Sequence, residues 1–352
     1  HWISPPVITS FETEVHEQPA VLARLLAEER GRAEAIAERL RAYDLRFAVL
    51  AARGTSDNAA RYGQYVLGIH NHLVAALATP SLFTQYGASP SLTGALVVGI
   101  SQSGQSPDIV EVLRAARGQG AVTLAITNEA RSPLASAAEL AFPLLAGLER
   151  AVAATKTYTA ELMALAMLSA ALRSGDEAWN QLETVPTLVA RALDLNRELV
   201  PRAHAYRDRT SLVVVGRGYN LSTASEIALK VKETSAIMAD GSSSADFLHG
   251  PAAVLHPGLP VLAVAPGPRA FPDLDALVER TKAAQAPLLA ISNRPAMLEA
   301  ADVAMPLPPD LPEWLSPMVA VVPGQLWALG LCLARGMQPD APPGLSKITH
   351  TR

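Results

Sequence analysis

The hexapeptide Ser101-Gln102-Ser103-Gly104-Gln105-Ser106 places three hydroxyls and a glycine between an apolar run, Ala95–Ile100, and a helical pattern opened by Pro107 and Asp108. A strand, a small hydroxyl-rich turn and a helix N-terminus, in that order, make an anion site. The N–H groups of the first helical turn point outward unpaired, and the helix dipole favours negative charge there. The serines add donors, and Gly104 lets a ligand approach the backbone. Pro107 suits the first turn, where its missing N–H costs nothing. Phosphate is the group this arrangement suits, although the same residues would also serve as an ordinary polar loop. A second hydroxyl loop, Gly54-Thr55-Ser56, follows the apolar run Phe47–Ala51 and could converge on the same anion.

Four other constellations could carry chemistry. Glu226, Lys230 and Glu233 are spaced i, i+4 and i+7, near one helix face. As an exposed ladder they would contribute only about 0.2–0.5 kcal/mol per pair. Ile227, Leu229 and Val231 leave little fully exposed face, however, and a part-buried carboxylate with a raised pKa would suit a general base. Val152-Ala153-Ala154-Thr155-Lys156 reads most simply as a helix start, with Thr155 as cap and Lys156 in solvent. His249 precedes Gly250-Pro251 and so belongs to a turn. Lys347, near the C-terminus, would ordinarily be solvated; desolvation would make it a candidate Schiff-base amine.

The elements that must position these residues are suggested by the rest of the chain. It has 352 residues, 49% hydrophobic and 18% charged, with a net charge of −4. That supports a large core and two domains or one large α/β unit. The interspersed charges argue against a nucleic-acid surface or a polybasic membrane patch. The single cysteine, Cys332, excludes an intrachain disulfide framework and reads as a buried structural thiol; a cytoplasmic location fits it. The eight histidines are scattered without metal-ligand spacing. No apolar run is expected to reach membrane-span length, the longest lying around Leu162–Leu172. The chain opens on His1 and shows no signal-peptide pattern.

Apolar residues at helix spacing from Thr13 to about Leu45 predict a long N-terminal helix. Strands and helices then alternate, with strands expected at Phe47–Ala51, Ala95–Ile100, Val122–Thr127 and Ala138–Pro143. The order repeats with strands at Leu212–Val215, Val261–Ala265, Leu288–Ser292 and Asp302–Pro306. Leu124-Ala-Ile-Thr-Asn128 matches Leu289-Ala-Ile-Ser-Asn293, and Val49-Leu-Ala-Ala-Arg-Gly54 matches Val213-Val-Val-Gly-Arg-Gly218. Two parallel sheets with right-handed crossovers follow, their polar loops at the carboxyl ends of the strands. Asp310–Pro317 and Pro339–Pro343 are Pro-rich and read as loop.

Taken together, these motifs resemble the sugar isomerase (SIS) domain family. The likeness extends from about Glu14 to Arg352. It is greatest to the tandem-SIS isomerase half of glutamine:fructose-6-phosphate amidotransferases and to stand-alone SIS-type glucosamine-6-phosphate deaminases. The resemblance rests on Ser101-Gln-Ser-Gly104, Ala154-Thr155-Lys156, Leu229-Lys-Val-Lys-Glu233, His249-Gly-Pro and Leu345-Ser-Lys347, all in the family's order. It implies an α/β fold of two tandem SIS subdomains, each a parallel sheet flanked by helices in a flavodoxin-like three-layer sandwich. Residues 1–45 would be a helical segment, 46–195 and 196–338 the two SIS domains, and 339–352 an active-site tail.

The resemblance also implies roles. Thr55, Ser56, Ser101, Gln102, Ser103 and Ser106 would hold a sugar 6-phosphate, supported by Gly54. Glu233 would move a proton between C1 and C2, His249 of a neighbouring subunit would assist ring opening, and Lys347 would be the Schiff-base amine. Ala154, Thr155, Lys156, Glu226 and Lys230 would support the site. A cytoplasmic homodimer with a shared site is expected, without metal or cofactor and without nucleic-acid or membrane partners. Two departures bear on the reaction. The SIS-like portion starts almost at once, so no glutaminase domain is expected. Arg53-Gly-Thr-Ser56 and Ser-Gln-Ser-Gly-Gln105-Ser106 stand where the amidotransferases usually have Cys-Gly-Thr-Ser and Ser-Gln-Ser-Gly-Glu-Thr. This points to a glucosamine-6-phosphate deaminase. The alternatives are an ammonia-dependent or glutaminase-less synthase-like isomerase, action on another amino-sugar phosphate, and a non-catalytic sugar-phosphate-binding regulator.

Overall fold

The computed structural model of the chain describes residues 8–267, 269 and 271–347. Helix α1 (Ser10–Arg41) leads into the first α/β half: β1 (Phe47–Ala51), α2 (Thr55–Asn71), β2 (Ala75–Leu77), α3 (Pro80–Thr84), β3 (Ala95–Ser101), α4 (Pro107–Gly118), β4 (Val122–Thr127), α5 (Pro133–Ala137) and β5 (Leu140–Pro143). Helices α6 (Lys156–Leu172), α7 (Glu177–Leu195) and α8 (Leu199–Arg202) connect the halves. The second half runs β6 (Ser211–Gly216), α9 (Asn220–Ser235), β7 (Met238–Ser243), α10 (Ser244–Leu248), β8 (Val261–Val264), α11 (Pro272–Ala283), β9 (Leu288–Ser292), α12 (Pro295–Glu299), β10 (Val303–Pro306) and α13 (Ser316–Ala334).

Each half is a five-stranded parallel sheet, ordered β2-β1-β3-β4-β5 and β7-β6-β8-β9-β10. Counted within each half, this is the same 2-1-3-4-5 order, that of the flavodoxin-like doubly wound fold. The sequence repeats lie where that duplication requires: Leu124–Asn128 and Leu289–Asn293 run along β4 and β9, and the Arg-Gly pairs close β1 and β6. Strands β3, β4, β8 and β9 are buried along their whole length, because helices cover both sheet faces.

Each second strand, β2 and β7, gave no sequence signal. They are short or hydroxyl-rich (Ala-Ala-Leu, and Met-Ala-Asp-Gly-Ser-Ser), and both lie at sheet edges, held by pairing to β1 and β6. Helix α13 begins at Ser316, within the stretch Asp310–Pro317 expected to be loop. It is continuous, with Pro317 in its first turn and Pro323 inside. With the turn before it, it is the one helix among the described residues long and apolar enough to cross a membrane. The expectation that no run reaches that length is therefore corrected; its apolar window is 89% buried in the fold. Helices α6 and α13 are apolar on all sides and form the centre of the core, which runs through both halves. A Cβ at Gly324 of α13 would meet Ile227 of α9 at 2.3 Å, so the missing side chain lets the two helices approach closely.

Candidate functional site

Because β1 and β3 are neighbours in register, with Ala51 opposite Gly99, their carboxyl-terminal loops emerge side by side. Helix α9 of the second half packs against α2, carrying its charged face to the same place. The result is a cavity of about 340 Å³ lined by Arg53, Gly54, Thr55 and Ser56 on one loop and by Ser101, Gln102, Ser103 and Ser106 on the other. Lys230 and Glu233 of α9, Val152, Ala154 and Thr157 before and at the start of α6, Glu161 of α6, and Leu345, Ser346 and Lys347 of the tail complete it.

The serine loop is pre-shaped from within. Ser101 Oγ accepts the Gly104 N–H at 3.1 Å and Ser103 Oγ accepts the Gln105 N–H at 3.3 Å. Ser106 is the N-cap of α4 but makes no side-chain capping bond. Gly104 sits at φ +63°, and a Cβ there would lie 2.2 Å from Ser132 Oγ and 2.4 Å from Ser132 Cβ. Gly104→Ala is therefore expected to distort the loop. Overpacking and left-handed strain of this kind each cost about 1–3 kcal/mol. A fall in melting temperature with weakened phosphosugar binding, read by calorimetry, is the expected outcome; unchanged values in both would contradict this account of the loop.

The face of α9 is not the exposed ladder that periodicity alone allows. Glu226 and Lys230 are 0% exposed. Lys230 Nζ lies 2.5 Å from Glu233 Oε2, 3.4 Å from Glu226 Oε1 and 3.1 Å from Thr55 Oγ1. Glu226 also accepts from Thr55 Oγ1 at 3.1 Å and from Asn58 Nδ2 at 2.8 Å. Burial pushes the Glu226 carboxyl up to about 7, opposed by Lys230 and Asn58. Burial alone would lower the Lys230 ammonium, but Glu226 and Glu233 outweigh it and hold it above its usual value. Glu226 thus anchors Lys230, and Lys230 holds the Glu233 carboxylate at the cavity wall.

The tail reaches the cavity by docking on α1. The Asp340 carboxylate accepts the Ser10 and Phe11 N–H groups, both at 2.8 Å, at a helix N-terminus whose dipole favours it. Asp340 O accepts the Val152 N–H at 3.1 Å. Lys347 Nζ then lies 2.8 Å from Glu149 Oε2 and donates to Ala151 O at 2.6 Å. Glu149 is buried. Burial raises its carboxyl, but Lys347 and the N–H groups of Thr155 and Thr157 win and leave it below the usual range. Positions 348–352 of the tail lie outside the described residues.

Two expected residues are placed otherwise. Lys156 is neither solvated nor in the cavity wall: its Nζ lies 2.5 Å from Glu17 Oε2 and donates to Leu148 O at 2.8 Å, fastening α6 to α1. Thr155 precedes α6 without a side-chain cap. Its N–H donates to Glu149 at 2.9 Å, and its buried hydroxyl is unpartnered. His249 is exposed at the end of α10 and does not line the cavity of its own chain. Sequence reading missed Glu149, Thr157 and Glu161. An acidic residue inside the apolar run of α6 was the available signal for Glu161. Among the described residues no group of His, Cys, Asp or Glu could hold a metal ion. Cys332 is buried, and burial pushes its thiol up to about 12, as suits a structural thiol.

Comparison with known proteins agrees with this arrangement. The sequence profile of the SIS domain matches residues 44–171 and 205–334. A glutamine–fructose-6-phosphate aminotransferase (isomerizing) of Thermococcus kodakarensis is 34% identical over 343 residues, covering 95% of this chain and 56% of the relative. The chain thus spans little more than half the length of that curated relative. The C-terminal domain of glucosamine-fructose-6-phosphate aminotransferase from Francisella tularensis superposes with a TM-score of 0.86 at 25% identity, covering 96% of this chain and 99% of that one. Glucosamine-6-phosphate deaminase from Thermotoga maritima shares the fold, with a TM-score of 0.80 at 19% identity over 97% of this chain and 100% of that one. Two matched segments, two sheets of identical order and one cavity between their helices make this chain a member of the SIS domain family, with two SIS domains in tandem.

Proposed function

We propose that the chain converts glucosamine 6-phosphate to fructose 6-phosphate and ammonia. The observation that carries this reading is the pairing, in one cavity, of a hydroxyl-lined anion cradle with a carboxylate held by a buried lysine. The cradle suits the 6-phosphate: the α2 and α4 N-termini meet there, and Thr55, Ser56, Ser101, Gln102, Ser103 and Ser106 supply donors. Arg53, paired with Asp108 at 2.7 Å, adds a cation at the same end. Anchoring the phosphate leaves C1 and C2 of the opened sugar toward Glu233, so remote binding energy fixes the reacting carbons against the base.

Glu233 removes the C2 proton of the aldehyde form as O1 is protonated, giving a 1-hydroxy enamine. Returning the proton to C1, while the nitrogen gives up one that replaces the proton taken by O1, yields the ketose imine at C2. Water then adds to C2 and ammonia departs, so one water is consumed for each ammonia released. Lys347, paired with Glu149, stands at the mouth as a cation; service as a Schiff-base amine would first require its proton to move. His249 would act from a second copy of the chain, in a homodimer with a shared site. The reading extends to a cytoplasmic enzyme working without cofactor or metal.

The chain's relatives favour an amino-sugar phosphate over a plain one. The T. kodakarensis and F. tularensis proteins are both named as fructose-6-phosphate aminotransferases, a name that joins an amino group to this sugar phosphate. Ammonia and fructose 6-phosphate are expected to appear in equal amounts from purified protein and glucosamine 6-phosphate. If neither appears while the sugar phosphate still binds, the cavity is a sensor site and the catalytic reading is overturned.

A further inference from the structure

Glu161 is an acid in the wall of this cavity, carried on the apolar helix α6, and it is 1% exposed. Its Oε1 lies 2.7 Å from Ser56 Oγ, and its Oε2 is buried without a hydrogen-bond partner. A buried carboxylate with one donor is costly, whereas a neutral acid is not. The charged groups facing it are Glu226 and Lys230 from α9 and Glu149 from the loop before α6; Tyr158 lies on α6 itself. Burial is the main influence and, with Glu149 and Glu226, holds the Glu161 carboxyl well above the usual carboxylate range, against Ser56 and Lys230.

Once Glu161 is neutral, both members of the Ser56–Glu161 pair carry a hydroxyl proton, and the hydrogen bond can run either way. If Ser56 donates to Glu161, Ser56 faces the cavity with lone pairs, which repel a phosphate dianion. If the acid donates to Ser56, the serine proton is free for the phosphate. We propose that Glu161 is a positioning residue for substrate: its acid O–H donates to Ser56 Oγ and so turns the Ser56 hydroxyl toward the substrate phosphate. This rests on the phosphate reading of the cavity. Binding is then linked to one proton. Affinity is full while Glu161 is protonated and falls as pH rises through its ionisation, tenfold per pH unit.

The test is titration calorimetry of glucosamine 6-phosphate, with inorganic phosphate as a second probe, from about pH 6.5 to 9.5. Below about pH 6 the phosphate itself gains a proton, and all variants weaken together. Glu161→Leu is expected to lose about ten- to a hundredfold in affinity, the range for one charge-assisted hydrogen bond, with KM affected more than kcat. Glu161→Gln, whose amide N–H can donate to Ser56 and does not ionise, is expected to restore affinity to within about threefold and to abolish the alkaline fall. In a Ser56→Ala background, Glu161→Leu should cost little more. An alkaline fall in Glu161→Gln equal to the parent's, or Glu161→Leu binding as tightly as a parent that binds, overturns the proposal alone. A parent that binds neither probe overturns the phosphate reading and this proposal together. Melting temperatures of both variants verify that they fold.

Discussion

Glu233→Gln is expected to lower kcat for glucosamine 6-phosphate by about 10²–10⁴-fold, the usual contribution of a positioned acid or base, with little change in substrate affinity. The substitution keeps the side chain's size and removes its ability to take a proton. The phosphate cradle lies on the loops after β1 and β3 and meets α9 through Thr55, which contacts Glu226 and Lys230 but not Glu233, so the sugar phosphate should still be anchored. Two acids line the cavity, Glu161 and Glu233. Burial raises the Glu161 carboxyl well above the usual carboxylate range, and an acid in its neutral form cannot accept a proton. Glu233 is instead paired with Lys230 and faces the space where C1 and C2 would sit. The measurement is kcat and KM from coupled ammonia release, with affinity from calorimetry. Normal turnover in Glu233→Gln would move the base elsewhere, and loss of binding would show a role in recognition.

Lys230→Met should give the largest loss of stability of any single change at the site. The lysine is the cation shared by Glu226 and Glu233 and by the Thr55 hydroxyl, and it is fully buried. Breaking a buried ion pair by removing one partner costs about 3–5 kcal/mol, because the remaining charge is left uncompensated. For a chain of this size that corresponds to a fall in melting temperature of roughly 4–7 °C. The deficit depends on pH, with a definite sign. Glu226 is at about 7 in the fold, against an ordinary 4.5, so the folded state holds a proton that the unfolded chain releases. The stability it contributes is present below about 4.5 and lost as pH rises through about 7. Without Lys230 the ionised form is disfavoured further. The deficit should therefore be smallest near pH 5 and grow as pH rises past 7. Lys230→Met combined with Glu226→Gln should recover part of the loss at neutral pH. Thermal melts of the three proteins at pH 5 and pH 8 decide it; equal stability of Lys230→Met and parent at pH 8 would contradict the buried-pair account.

The amino-acid sequence by itself determined the fold class, because the signals were local and repeated. Buried central strands read as Val/Ile/Leu/Ala runs, hydroxyl and glycine turns closed them, and the two halves carried matching segments at β1/β6 and β4/β9. The hydroxyl loops were legible for the same reason, since a strand, a small turn and a helix start are all encoded within ten residues. Edge strands β2 and β7 were not legible: their stability comes from pairing with β1 and β6, which no local pattern records. Tertiary structure decided the states of the charged groups. The spacing of Glu226, Lys230 and Glu233 is the same on a surface helix and a buried one, and only packing of α9 against α2 and α13 removes water from them. Lys156 and Lys347 look alike in sequence, yet one is drawn to Glu17 on α1 and the other to Glu149 at the cavity mouth. Glu161 became visible as a buried acid only when α6 met the start of α2. Desolvation and long-range partners depend on contacts between residues far apart in the chain, and those contacts exist only in the fold.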